Sequence, residues 1–339
     1  MASGRDIVVV GASAGGVRAL RAMLSRLPAD LPAAVLVVLH VPATGGSSLP
    51  RILGRAGPLP AARAVDGERI RPGLIYVAPP DRHLLVVKDV LRLSRGPRQN
   101  GVRPAADTLF RSAALHAGPR TTAVVLSGTL DDAALGAATV ERRGGAVLVQ
   151  DPGEADYDGM PRSALAVTSG ALVAPAAGLA THVARLAMEE AAMRPPDDRE
   201  PEEELAAEIS GLLTGALETN TETRVYSGLS CPECDGPLYV AHEDRAVTYD
   251  CVVGHRWSPT SLLEGQGTSV ERALWLAIRS LEDRGRLTGR LADAARERGH
   301  TLSAGHFYRA AEEAHQSADA LRVVADGLVT TVASELEQA

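Results

Sequence analysis

Residues 11–15 read Gly-Ala-Ser-Ala-Gly, a G-x-S-x-G pattern that sets Ser13 on a tight turn between small neighbours. Such a turn exposes the serine Oγ. A helix starting behind it offers unpaired backbone N–H groups, at Ala14 and Gly15, that can stabilise an oxyanion. The same turn also suits a phosphate or dinucleotide cradle. The dinucleotide fingerprint, however, needs a glycine where Ser13 stands, and an acid at the end of the second strand, where the sequence has His40. Both departures weigh against a nucleotide-dependent oxidoreductase. A serine hydroxyl is a poor nucleophile until a base takes its proton. Imidazole can be that base, and a carboxylate fixes its tautomer. His40 ends the apolar run 33–40, and Asp131 and Asp132 follow the run 121–127. In open parallel sheets, reacting groups gather at strand carboxyl ends. Ser13, His40 and Asp132 are therefore the candidate nucleophile, base and acid. Asp131 suits a helix N-cap. Asp151 is the alternative acid, and His83 an alternative base for which a structural role is favoured.

A second group of reactive side chains lies between 231 and 255. Cys231 and Cys234 form C-x2-C, and Cys251 and His255 form C-x3-H after a further sixteen residues. Three thiolates and an imidazole suit tetrahedral Zn²⁺, and four protein ligands leave no open position, so the site would be structural. His242 is a less well placed competitor.

The elements that must carry these residues alternate. DIVVV (6–10), AAVLVVLH (33–40), TTAVVLS (121–127) and GAVLVQD (145–151) read as buried strands, with shorter strand patterns at 74–78 and 84–94. Helical patterns fall near 17–27, 104–118 and 133–143. MPRSALAV, ALVAP and AAGLATHVARLAMEEA continue the alternation to 192. The fold class expected is α/β, a doubly wound, mostly parallel sheet. Residues 193–224 read as an acidic, Pro-rich linker and connecting helix, 225–264 as a zinc-ribbon-like module, and 265–339 as a helical hairpin broken near Gly299 and His300. The linker is expected to uncouple the ribbon from the sheet domain.

Net charge is −7, but residues 1–192 hold 21 Lys/Arg against 16 Asp/Glu, and residues 193–339 hold 14 against 26. A positive sheet domain can attract acidic partners. No basic run with interleaved aromatics points to nucleic acid, and no stretch reads as a leader or membrane span. A soluble, cytoplasmic protein is expected, with its odd, clustered cysteines as metal ligands rather than disulfides.

Six motifs in order, GASAGG (11–16), LH-V-P (39–42), VAPPDRHL (77–84), RPAADTLFRSAA (103–114), SGTLDDAALG (127–136) and GMPRSAL (159–165), resemble the catalytic domain of the chemotaxis protein-glutamate methylesterases, the CheB type. The resemblance implies a catalytic serine at Ser13, histidine at His40 and aspartate at Asp132. It implies hydrolysis of γ-glutamyl methyl esters on methylated chemoreceptor-like helical proteins, with glutamine deamidation as a second activity and no cofactor for the chemistry. Family members often have G-M-G-N-D-G where this sequence has Gly128-Thr129-Leu130-Asp131-Asp132-Ala133, which makes Thr129 a substrate-side candidate. Ala14 stands where many have Thr. Many also carry an N-terminal receiver domain, whereas this sequence opens on the catalytic strand, which implies no phosphorylation control in cis. The ribbon and helical tail are candidate surfaces for a signalling partner, and a non-catalytic adaptor is the alternative reading. The acidic hairpin, with Glu312 and Glu313 adjacent, is a candidate competitor for the catalytic face.

Overall fold

The computed structural model describes residues 4–42, 48–189, 202–214, 225–243 and 246–336. In chain order the sheet domain holds β1 (Ile7–Ala12), α1 (Gly16–Leu24), β2 (Ala34–Leu39), α2 (Leu49–Gly54), β3 (Ala61–Arg63), β4 (Ile75–Val77), β5 (His83–Val87) and β6 (Val90–Ser94). It continues with α3 (Ala106–Ala117), β7 (Thr121–Val125), α4 (Ala134–Arg142), β8 (Ala146–Gln150), α5 (Gly159–Val167), β9 (Leu172–Ala174) and α6 (Ala176–Met188). Then follow α7 (Glu202–Thr214), the strands β10 (Val225–Ser230), β11 (Pro237–Glu243), β12 (Ala246–Cys251) and β13 (Arg256–Trp257), and the helices α8 (Pro259–Glu297) and α9 (Thr301–Leu336).

Among the described residues the main sheet is ordered β3-β4-β2-β1-β7-β8-β9, and its neighbours pair in parallel. The run IVVVGA of β1 is buried throughout because both faces of the sheet are covered. Side chains alternate across the pleat. Val8, Val10, Val35 and Val37 pack with Leu20, Met23, Leu179 and Val183 of α1 and α6. Val9, Leu36 and Val38 pack with Leu109, Phe110 and Val140 of α3 and α4 on the other face. Strand order reverses at β1: the chain steps to β2 on one side and later returns to β7 on the other. The three strands that carry Ser13, His40 and Asp132 are therefore immediate neighbours.

The stretch 84–94 is a β5–β6 antiparallel hairpin outside the main sheet, turning at Lys88 with φ 56°. The short α2 and β3 have no counterpart in the sequence reading. The break at 299–300 is where the sequence puts it, but α8 begins at Pro259, so the expected boundary at 264/265 falls inside a helix.

The chain divides into two compact units, Met1–Leu262 and Leu263–Ala339. The sheet domain and the cysteine module are thus one unit rather than the two uncoupled domains expected. Glu208 of α7 pairs with Arg111 of α3 at 2.5 Å and with Arg256 of β13 at 2.7 Å. Arg98 pairs with Glu233 at 2.9 Å. Most of the expected acidic linker lies outside the described residues. In the second unit, Leu274, Ile278, Leu281, Ala318, Leu321 and Ala325 pack between α8 and α9, and Glu312 and Glu313 are exposed.

Candidate active site and a cysteine cluster

β1 ends at Ala12, and the chain turns through Ser13, Ala14 and Gly15 into α1. Gly15 has φ 71°, the left-handed region that glycine adopts at least cost, and a Cβ there would come within 2.5 Å of the Ser127 Oγ. The turn is braced from β7. Ser13 N–H donates to the Ser127 carbonyl at 2.9 Å, and the Ser127 Oγ donates to the Ala14 carbonyl at 2.8 Å. Among the described residues no acceptor takes the N–H of Ala14 or Gly15, which leaves both free for an oxyanion.

The Ser13 Oγ lies 3.0 Å from His40 Nδ1, and His40 Nε2 lies 2.7 Å from Asp132 Oδ2. A proton held on Nε2 by the carboxylate leaves Nδ1 with a lone pair facing the serine. That is the tautomer a general base needs.

The first turn of α3 holds the acid. Ala106 N–H donates to Asp132 Oδ2 at 2.6 Å, and Asp107 N–H to Oδ1 at 3.1 Å. Burial pushes the Asp132 carboxyl up, but His40 and the two amides outweigh it and hold it below the ordinary aspartate range. Ionised Asp132 is thus the resting form. The two amides are functional groups that sequence reasoning missed; the only signal for them was Pro104 before a helical run whose first turn carries Asp107.

Asp131 lines a cavity of about 260 Å³ between α3–α4 and β12–β13, and burial raises its carboxyl. It makes no hydrogen bond to His40, whose two nitrogens are taken. Asp151 instead accepts Gly153 N–H at 2.8 Å in the turn after β8. His83 is fully buried; Nε2–H donates to the Pro97 carbonyl at 3.0 Å and Nδ1 accepts Ala105 N–H at 3.3 Å. Burial pushes its pKa down to about 4, so it is neutral and structural.

Thr129 is exposed on the loop after β7. That loop keeps left-handed backbone without glycine: Leu130 has φ 59° and Ala133 φ 83°. Gly128 is required sterically, since a Cβ would meet Met160 Sδ at 2.1 Å and Ser13 Cβ at 2.8 Å.

The ligand atoms of Cys231, Cys234, Cys251 and His255 lie within 4.8 Å of one another. With Zn–S of about 2.3 Å and Zn–N of about 2.0–2.1 Å, a tetrahedron has S···S edges of about 3.8 Å and S···N edges of about 3.6 Å. The Cys234–Cys251 sulfurs are 3.7 Å apart, and His255 Nδ1 is 3.6 Å from Cys231 Sγ and 3.4 Å from Cys251 Sγ. These three edges are near those of a tetrahedral site, which the four residues could form around a metal ion. Trp257 Nε1–H and His255 N–H donate to the Cys231 and Cys251 sulfurs at 3.4 and 3.3 Å, as groups around metal thiolates do. His242 is on β11, outside the cluster.

The family model of the CheB methylesterases matches residues 8–183, half of the chain, and spans all three residues of the Ser13–His40–Asp132 array. The chain belongs to the CheB methylesterase family. A protein-glutamate methylesterase/protein-glutamine glutaminase of Anaeromyxobacter dehalogenans is 42% identical over 172 residues, 50% of each chain. One from Methanosarcina mazei is 37% identical over 165 residues, 46% of this chain and 45% of that one. The chain thus spans about half the length of the curated relatives it matches. The crystal structure of the Thermotoga maritima CheB methylesterase catalytic domain is 34% identical, with a TM-score of 0.51 over 54% of this chain and 99% of that one. The shared part of the fold is the CheB catalytic domain.

Proposed function

We propose that the chain is a serine hydrolase that removes methyl groups from γ-glutamyl methyl esters on acidic helical proteins of the chemoreceptor type. The observation that carries this is the hydrogen-bonded series Ser13–His40–Asp132 at the ends of β1, β2 and β7, in a chain of the CheB family. The Ser13 Oγ attacks the ester carbonyl while His40 Nδ1 takes its proton. Ala14 and Gly15 N–H groups receive the oxyanion. Collapse expels methoxide, which takes the proton from His40 and leaves as methanol. Water, deprotonated by the same nitrogen, then attacks the acyl-serine and frees the glutamate. Asp132 keeps Nε2–H in place and stabilises the imidazolium throughout. A primary amide in place of the ester would release ammonia by the same steps, giving glutamine deamidation. The chemistry needs no cofactor.

The cysteine cluster is read as a structural Zn²⁺ site held by Cys231, Cys234, Cys251 and His255. Reduced thiolate ligands fit a cytoplasmic location. Among the described residues no helix is long and apolar enough to cross a membrane. An adaptor without catalysis would leave the aligned array without a role. A fluorophosphonate probe separates the readings: it should label one residue, Ser13, in wild type and none in Ser13→Ala. An unlabelled wild-type chain would refute the hydrolase reading.

A further inference from the structure

Asp107 is buried, ionisable and unused in the reaction outlined above. Its position decides where Asp132 points, because its own backbone N–H is one of the two amides on that carboxylate. The Asp107 carboxyl is held on both oxygens. Oδ1 accepts Gly136 N–H from α4 at 2.6 Å, and Oδ2 accepts Asn100 Nδ2–H at 3.1 Å.

Asn100 is in turn held by the cysteine module. Its Oδ1 accepts Ser258 N–H at 3.0 Å and the Ser261 Oγ–H at 2.9 Å, and its own N–H donates to the Arg256 carbonyl at 2.8 Å. A backbone N–H can only donate, so Ser258 fixes which end of the Asn100 amide is oxygen, and Nδ2 must face Asp107. Asn100 also has φ 51°, a left-handed conformation that surrounding contacts have to maintain. Beside it, Gln99 Nε2–H donates to the Gly254 carbonyl at 3.0 Å. Trp257, next to Ser258, donates to the Cys231 sulfur. Hydrogen bonds, joined covalently at the 257–258 peptide and within Asp107, therefore link the cysteine cluster through Ser258, Asn100 and Asp107 to Asp132, His40 and Ser13.

We infer that the cysteine module is a built-in positioning element for the catalytic acid, acting through Asn100 and Asp107 as positioning residues. This rests on the hydrolase reading proposed above. With the module docked, the first turn of α3 presents two N–H groups to Asp132, and the carboxylate keeps His40 aimed at Ser13. Without it, Asn100 loses three partners, the Asp107 carboxyl loses a donor, and the α3 turn is free to shift. Misplacement of a catalytic group by about 1 Å can cost on the order of 10²-fold in rate. Substrate contacts are untouched, so the loss falls on the chemical step.

The test measures the second-order rate of Ser13 phosphonylation by a fluorophosphonate in the full chain. Asn100→Ala should slow it roughly 10- to 100-fold. Ser261→Ala, which removes one of the two module donors to Asn100 Oδ1 together with the Ser258–Ser261 contacts and leaves every Asp107 contact in place, should slow it several-fold. Each is then repeated in an Asp132→Asn background. A positioning residue that acts through Asp132 costs little once the carboxylate is gone, whereas a general loss of fold slows the reaction equally in both backgrounds. Loss confined to the Asp132 background is the expected result. Wild-type rates in both variants, or equal slowing in both backgrounds, would overturn the inference while leaving the hydrolase reading intact. An unreactive Ser13 in the wild-type chain would overturn that reading and the inference with it.

Discussion

Buried His83 makes the stability of the sheet domain depend on pH in a defined window. Its ring is neutral in the fold, with Nε2–H on the Pro97 carbonyl and Nδ1 accepting from Ala105. Its pKa falls from an ordinary 6.5 to about 4, chiefly through burial. The unfolded chain takes up a proton as pH drops below about 6.5, and the folded chain does so only near 4. Stability from this group is therefore fully present above the unfolded value and is lost as pH falls towards the folded one. A fall from 6.5 to about 4 corresponds to about 3 kcal/mol at full extent, most of it gone by about pH 4.5. The perturbation is His83→Gln, which keeps a donor and an acceptor but does not titrate. The assay is urea unfolding at pH 7 and pH 4.5, followed by far-UV circular dichroism because both tryptophans, Trp257 and Trp275, lie outside the main sheet. The variant is less stable at pH 7, but its loss between the two pH values should be smaller than wild type's by about 2–3 kcal/mol. Parallel losses in the two proteins would refute the neutral, buried His83.

Asp132→Asn should cut Ser13 reactivity by roughly 10³- to 10⁴-fold with the fold retained, and Ser13→Ala/His40→Ala should be no less active than either single variant; both are read from the rate of ester hydrolysis. Elemental analysis should find one zinc per chain, absent in Cys251→Ser. Because the module shares a compact unit with the sheet, Cys251→Ser should also lower the melting temperature of that unit, and an unchanged transition would contradict the docking. Leu130→Val, which puts a β-branched residue at φ 59°, should lower stability in urea unfolding, while Leu130→Gly, which relieves about 1–2 kcal/mol of left-handed strain, should be the more stable of the two.

The convergence of Ser13, His40 and Asp132 was legible because β1, β2 and β7 are apolar runs covered on both faces, and each of the three residues follows a strand end. The clustering of Cys231, Cys234, Cys251 and His255 was legible because C-x2-C and C-x3-H are local spacings. The contacts that couple the two sites were not. Gln99 and Asn100 lie in a polar loop with no periodicity, and their partners, Gly254, Arg256 and Ser258, lie more than a hundred residues away in sequence. The segments LPRILG and AAR are too short to show a period, so α2 and β3 went unread. The left-handed backbone at Leu130 and Ala133 is equally hidden, since an aliphatic residue argues against it and only packing enforces it. Nothing local showed that the Asp107 N–H holds Asp132.

The central claim is that Ser13, activated by His40 and Asp132, hydrolyses a γ-glutamyl methyl ester. It is tested most directly by methanol release from an isotopically methylated chemoreceptor fragment. Wild type should release labelled methanol until the esters are spent, and Ser13→Ala should release none above the background without enzyme. Methanol release by Ser13→Ala at the wild-type rate, or none from the wild-type chain, would contradict the account.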